Sequence, residues 1–222
     1  MPGVAAPQLA AVADVFAQFD AKTPADAFFA RALDVQNLTA DQRYDLLWRR
    51  AAVNAGLPRW RCLLMAAALA PAGSTQRAQC VQIVLKELDQ PIHAATAATL
   101  AGETKDAALQ AAIVLRQAEL SPDPAVSGGL AWQLYQDGRL PASSLLWACQ
   151  QWSGKPGRVI AALERDLRAG KDLAKEQAEV LEQAYRAVGR TLDARRAATS
   201  DPAPVPPASS QRQLPMGGGG MF

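Results

Sequence analysis

The chain is poor in the residues that enzymes most often use for acid–base and metal chemistry. It has 222 residues but a single histidine, His93, and only three cysteines, Cys62, Cys80 and Cys149. One histidine excludes most zinc and non-haem iron sites, and no nucleophile or orienting carboxylate accompanies it in sequence. The cysteines are odd in number and widely spaced, which argues against a disulfide framework or a CxxC metal site. The sequence therefore predicts no metal, no cofactor and no catalytic residue.

Phosphate-binding motifs and long apolar runs are missing as well. Neither GxxxxGK[ST] nor GxGxxG occurs, so a nucleotide-dependent enzyme is not expected. No stretch approaches the ~18 uncharged apolar residues that a membrane-spanning helix needs. The first residues, MPGVAAPQLAAVADVFAQFDAK, lack the basic segment of a signal peptide. We therefore expect a cytoplasmic protein without membrane insertion, and the lack of a disulfide framework favours a reducing compartment.

Aromatic residues and an excess of one charge are also scarce. Half of the residues are hydrophobic but only 6% are aromatic, and alanine makes up the difference. Alanine is the best helix former, whereas strands favour β-branched and aromatic residues, so the composition predicts an all-α fold. The chain has 23 basic and 21 acidic residues. This balance argues against a general nucleic-acid binder, which carries a one-sided basic field.

Helical patterns fill most of the chain. Roughly a dozen segments with helical spacing of apolar residues follow one another between residues 8 and 200, joined by short loops and without a strand pattern. In the first segment Leu9, Val12, Phe16 and Phe19 form one apolar stripe. We expect a single α-helical repeat-like domain over 8–200. Residues 1–7 are predicted to be a flexible N-terminus.

After Ser200 the composition changes abruptly. The segment DPAPVPPASSQRQLPMGGGGMF is rich in proline and glycine and cannot bury enough apolar area to repay its ordering. Residues 201–222 are therefore predicted to form a disordered tail. Met221 and Phe222 at its tip are compatible either with a short docking motif on a flexible tether or with a frayed end.

Helix, short turn and helix recur along the chain, with a glycine near each turn. The four glycines are Gly56, Gly102, Gly138 and Gly189. A glycine can take the left-handed conformation that ends a helix and reverses the chain tightly. Each glycine is followed at once by a second helical segment, which predicts four helical hairpins.

These hairpins resemble the tetratricopeptide repeat. The matching positions are Trp48, Leu130 and Leu181 eight residues before the glycine, Tyr185 four before it, and Ala107, Ser143 and Ala194 five after it. Ala94 and Arg61 depart from the pattern. Only the interval from Gly102 to Gly138 approaches the family period of about 34 residues. The longer intervals predict extra helices at 74–90 and 156–169. The resemblance implies an α-solenoid of stacked helical hairpins.

One basic and aromatic cluster stands out within the first hairpin. The segment WRRAAVNAGLPRWRC contains Trp48, Arg49, Arg50, Arg59, Trp60 and Arg61 on the two sides of the Gly56 turn. Arginine beside tryptophan suits a phosphate backbone, an acidic peptide, or merely a stacked and solvated rim. Trp132 and Tyr135 form a second candidate surface, although their helical spacing also suits core packing.

The resemblance and the missing catalytic set together predict a function in binding. We expect a non-catalytic protein–protein interaction scaffold, adaptor or chaperone-like module that holds a protein or peptide. The alanine- and arginine-rich usage resembles that of a GC-rich bacterial genome, which suggests an accessory protein in a secretion or surface-assembly system. The alternative is a nucleic-acid-associated helical protein that uses the Trp/Arg cluster. Nothing in the sequence indicates the oligomeric state.

Overall fold

The computed structural model describes residues 5–198, and these residues form twelve α-helices and no strand. The helices are α1 (Ala6–Gln18), α2 (Lys22–Leu33), α3 (Ala40–Val53), α4 (Gly56–Leu69), α5 (Thr75–Glu87), α6 (Ala94–Glu103), α7 (Ala107–Leu120), α8 (Pro124–Gln136), α9 (Leu145–Gln151), α10 (Pro156–Arg168), α11 (Lys175–Ala187) and α12 (Thr191–Ala198). Short 3-10 turns, Pro91–His93 and Ala142–Ser144, precede α6 and α9. None of the described helices combines the length and apolar character needed to cross a bilayer.

Side-chain caps fix the beginnings of several helices. Thr39 Oγ1 accepts a hydrogen bond from the Gln42 N–H (3.2 Å), and Gln42 Oε1 accepts one from the Thr39 N–H (2.9 Å). This capping box satisfies two of the donors that a helix start leaves unpaired. Asp106 similarly caps α7 by accepting from the N–H groups of Ala108 and Leu109, both at 3.0 Å.

Three of the four turn glycines have the predicted left-handed backbone. The φ angles of Gly56, Gly138 and Gly189 are 59°, 69° and 75°. Gly56 is the first residue of α4, and α3 ends three residues before it, at Val53. The prediction for Gly102 is wrong, since this glycine lies within α6. The chain reverses after it, through the short connection that leads to the Asp106 cap of α7.

The glycines supply a matched test of backbone conformation. A Cβ added at either Gly102 or Gly138 meets no atom within 4 Å, so only the backbone angle distinguishes the two sites. We expect Gly102→Ala to raise the free energy of unfolding by about 0.5–1 kcal/mol, because alanine favours the helix. Gly138→Ala should lower it by roughly 1 kcal/mol, because alanine is strained at positive φ. Urea unfolding followed by circular dichroism measures both, and shifts of the same sign would contradict the assignment.

The described residues form two compact units, which meet in sequence after Ala142. In the first unit α1 packs on α2, α2 on α3, α3 on α4, α4 on α5, α6 on α7, and α7 on α8. Its main core is formed by buried residues of the five helices from α3 through α7, among them Leu63, Val84, Leu100 and Ile113. A smaller core joins α1, α2 and α3. The prediction of a single domain over 8–200 stays a prediction.

In the second unit α10 packs on α11 and α11 on α12, and α9 contacts α10 and α11. Trp152, Leu163 and Leu181 are its largest fully buried side chains. The predicted all-α architecture of helical hairpins packed in series is thus confirmed, and the two extra helices are present as α5 and α10. Residues 1–4 and the proline- and glycine-rich segment 201–222 lie outside the described residues.

Candidate protein-binding surfaces

The arginines of the Trp/Arg cluster are each bound to a carboxylate on another helix. Arg49 on α3 forms an ion pair with Asp14 on α1, and it also donates to Asp45 one turn earlier on α3 (3.1 Å). Arg50 donates through Nε to Asp26 on α2 (2.7 Å) and through Nη2 to the same carboxylate (3.2 Å). The hydrogen bond from Arg50 lowers the pKa of the Asp26 carboxyl, although partial burial opposes this shift. The first two helices are therefore tied to α3 by charge-assisted bonds.

The arginines of α4 are bound in the same way. Arg59 Nε donates to Glu87 on α5 at 3.0 and 3.2 Å, and its Nη1 donates to the Ala51 carbonyl oxygen at 2.8 Å. Arg61 forms an ion pair with Glu103 on α6, and this bond lowers the pKa of the Glu103 carboxyl. Both side chains of the second pair are exposed, so it adds little to stability.

The tryptophans of the cluster contribute to the core. Trp60 is 6% exposed, and its Nε1 donates to Glu87 Oε2 at 2.8 Å. The ring of His93 packs edge-on against it, with centroids 5.4 Å apart. Trp48 is half-buried, packs against the main core and stacks on Tyr44 at 6.2 Å. Because each of the four arginines already binds a carboxylate of this chain, a phosphate or an acidic peptide would have to compete with that carboxylate. Whether any of its members binds a partner stays a prediction.

The second predicted surface contains two half-buried rings. Trp132 and Tyr135 stack on α8 with centroids 5.5 Å apart and an interplanar angle of 29°. They belong to the first compact unit, whereas Trp147 and Trp152 belong to the second. Trp152 is 1% exposed and is a core residue. The role of Trp132 and Tyr135 in partner binding stays a prediction, and Met221 and Phe222 lie outside the described residues.

The cysteines are small core residues. All three are free and buried, and burial raises the pKa of each thiol, that of Cys149 to about 12. A thiol whose pKa is raised is a poor nucleophile near neutral pH. Between residues 5 and 198 no three potential ligands lie together in a way that could hold a metal ion.

The second unit contains a buried carboxylate. Glu164 on α10 is 8% exposed. Its Oε1 accepts from the Tyr185 hydroxyl and from Arg190 Nη1, both at 2.9 Å, and its Oε2 accepts from Arg168 Nη2 at 2.9 Å. The guanidinium of Arg190 lies over the Tyr185 ring, 4.5 Å from its centroid. Burial and the hydrogen bond to Glu164 raise the pKa of Tyr185. Three donors satisfy the carboxylate, which makes this network a structural one.

The outer face of α1 carries exposed apolar side chains, of which only Val12 and Phe19 belong to the stripe predicted from the sequence. Ala6, Ala10 and Ala13 form the buried face of the helix. Val12, Val15 and Phe19 point outward and are 41%, 52% and 80% exposed, whereas Leu9 is partly buried and packs against the smaller core. Phe16, beside them, stacks on Phe28 of α2 at 5.5 Å. We refer to Val12, Val15 and Phe19 as the α1 face.

The small buried alanines explain this orientation. Alanine lets two helix backbones approach closely, so α1 can pack on α2 through its smallest residues. The signal that could have indicated an exposed face is that the large apolar residues of α1 occupy more than one side of the helix, so that they cannot all pack against α2. Comparison with protein families, curated proteins and solved structures found no match to this chain.

Proposed function

We propose that this chain is a non-catalytic protein-binding scaffold and that the α1 face is its contact surface. The observation that carries the proposal is the exposure of three large apolar side chains at helical spacing, Val12 and Val15 on α1 and Phe19 directly after it. Exposed apolar side chains grouped on one surface are typical of protein–protein interaction sites. An apolar outer face is typical of a helix that receives another helix in a groove or along a seam.

The charge distribution supports protein rather than nucleic acid as the partner. The four arginines of the Trp/Arg cluster are already paired with Asp14, Asp26, Glu87 and Glu103. The α1 face itself presents no basic side chain. A role in bacterial secretion or surface assembly remains part of the proposal, supported by composition and by the resemblance to helical-repeat proteins.

Site-specific photo-crosslinking in living cells tests this function. A benzophenone amino acid is placed at Val15 in the full chain, and at Ile92 as the control, because Ile92 is 79% exposed but lies on the turn before α6. We expect the benzophenone at position 15, but not that at position 92, to form a covalent adduct with a protein. This adduct should disappear when Val12 and Phe19 are replaced by glutamate. Identical adducts from both positions, or none from position 15, would overturn the proposal.

A further inference from the structure

The α1 face carries no charge. Charged residues make up 20% of the chain, yet α1 contains only one, Asp14, and the guanidinium of Arg49 binds it. The exposed residues of α1 are Pro7, Gln8, Ala11, Val12, Val15 and Gln18, with Phe19 directly after them. Two such surfaces can therefore approach each other without like-charge repulsion and without burying an unpaired charge.

The sizes of the side chains also differ between the two ends of the helix, so that a large residue of one copy can pack against a small residue of a second copy. Phe19 lies at the C-terminal end of the face, and the small residue Ala11 lies two turns before it. If two copies of α1 cross in antiparallel directions about a two-fold axis between Val12 and Val15, Val12 of each copy meets Val15 of the other. Phe19 of each copy then lies over Gln8 and Ala11 of the other, so a large ring fills the space beside a small residue. A parallel pair would oppose the two Phe19 rings and leave the alanines facing a gap.

We propose that the occupant of the α1 face is the α1 face of a second copy, packed antiparallel about a two-fold axis. This inference rests on the proposed protein-binding function and names its partner. An isologous contact of this kind uses one surface twice and closes on itself, which limits assembly to a dimer.

The size of the helix sets the expected strength of the dimer. Thirteen residues give a helix about 20 Å long and about 10 Å wide. This footprint is smaller than the roughly 800 Å² per partner of a standard stable interface. We therefore expect a weak and reversible dimer, populated mainly at concentrations on the order of hundreds of micromolar.

A charge exchange tests both the partner and the direction of packing. The full chain is studied by sedimentation equilibrium from about 1 to 500 μM, as wild type, as V15E, as V12K, and as an equimolar mixture of the two variants. Each single variant should raise the dissociation constant at least about tenfold, because a charge is placed against valine twice in every dimer. The mixture should recover dimer, because the antiparallel register places the new acid of one chain opposite the new base of the other. I92E is the matched control and should behave as wild type.

The possible outcomes separate this inference from the proposed function. A wild-type chain that remains monomeric, or a dimer that V15E does not weaken, overturns the second-copy inference. A mixture that fails to recover dimer overturns the antiparallel register. If the chain is monomeric while position 15 still yields a specific adduct to another protein, the inference fails and the protein-binding function stands. If both the dimer and the adduct are absent, both proposals fail. Circular dichroism confirms that each variant is folded, which is expected because both valines are exposed.

Discussion

Replacing Trp60 with alanine is expected to lower the free energy of unfolding by about 3–5 kcal/mol. The indole is 6% exposed within the main core, and it donates a hydrogen bond to Glu87, which also binds Arg59. The substitution would leave a cavity beneath α4 and remove one of the donors to a partly buried carboxylate. Urea unfolding of the full chain, followed by the helical signal at 222 nm, measures the change.

A second variant separates packing from hydrogen bonding at the same site. Trp60→Phe keeps an aromatic ring but cannot donate to Glu87, so we expect a smaller loss of about 1–2 kcal/mol. Trp48→Ala is the matched control, because Trp48 is only half-buried and its ring stacks on Tyr44. A Trp60→Ala variant as stable as the wild type would show that Trp60 is a surface residue after all.

Replacing Glu164 with leucine should lower the free energy of unfolding by about 2–3 kcal/mol. The carboxylate accepts hydrogen bonds from Tyr185, Arg168 and Arg190. Most of the lost stability comes from Tyr185. This residue is 6% exposed, and its buried hydroxyl would lack a hydrogen-bond acceptor. The two arginines are partly exposed and can turn toward water, which limits the cost.

Glutamine at the same position isolates the contribution of charge. Glu164→Gln retains an acceptor oxygen for Tyr185 and should therefore be less damaging than Glu164→Leu. Glu179→Leu on α11 is the control, since Glu179 is exposed and its replacement should change stability by no more than about 0.5 kcal/mol. Equal losses from Glu164→Leu and Glu179→Leu would mean that the buried network contributes nothing to stability.

The local features of the fold could be predicted from sequence because they depend on neighbouring residues. The capping box at Thr39 and the glycine at Gly138 are examples, since each needs only a few adjacent positions. Gly102 was placed wrongly because a glycine can also be tolerated inside a helix when the following residues supply the turn. Sequence spacing alone does not distinguish these two uses of glycine.

The candidate surfaces were harder to predict because they depend on which helix faces which. The arginines around the Gly56 turn suggested an open basic cluster, but Asp26, Glu87 and Glu103 come from distant points of the chain and meet them only after the hairpins pack. The predicted stripe is divided in the structure, because Leu9 and Phe16 are partly buried whereas Val12 and Phe19 are exposed. The smaller alanines made the closer helix contact, and this left Val15 and Phe19 outside.

In the first unit, side-chain bonds join different helices, and the stretches of sequence between the bonded residues overlap one another. They join Asp14 to Arg49, Tyr44 to Cys80, Arg59 to Glu87, Arg61 to Glu103, Arg77 to Asp106, Arg116 to the Leu88 carbonyl, and Arg139 to Gln110. Every point between residues 14 and 139 is spanned by at least one of them. Truncation within this range therefore always separates a bonded pair, so its hairpins are not interchangeable modules that can be removed or grafted singly.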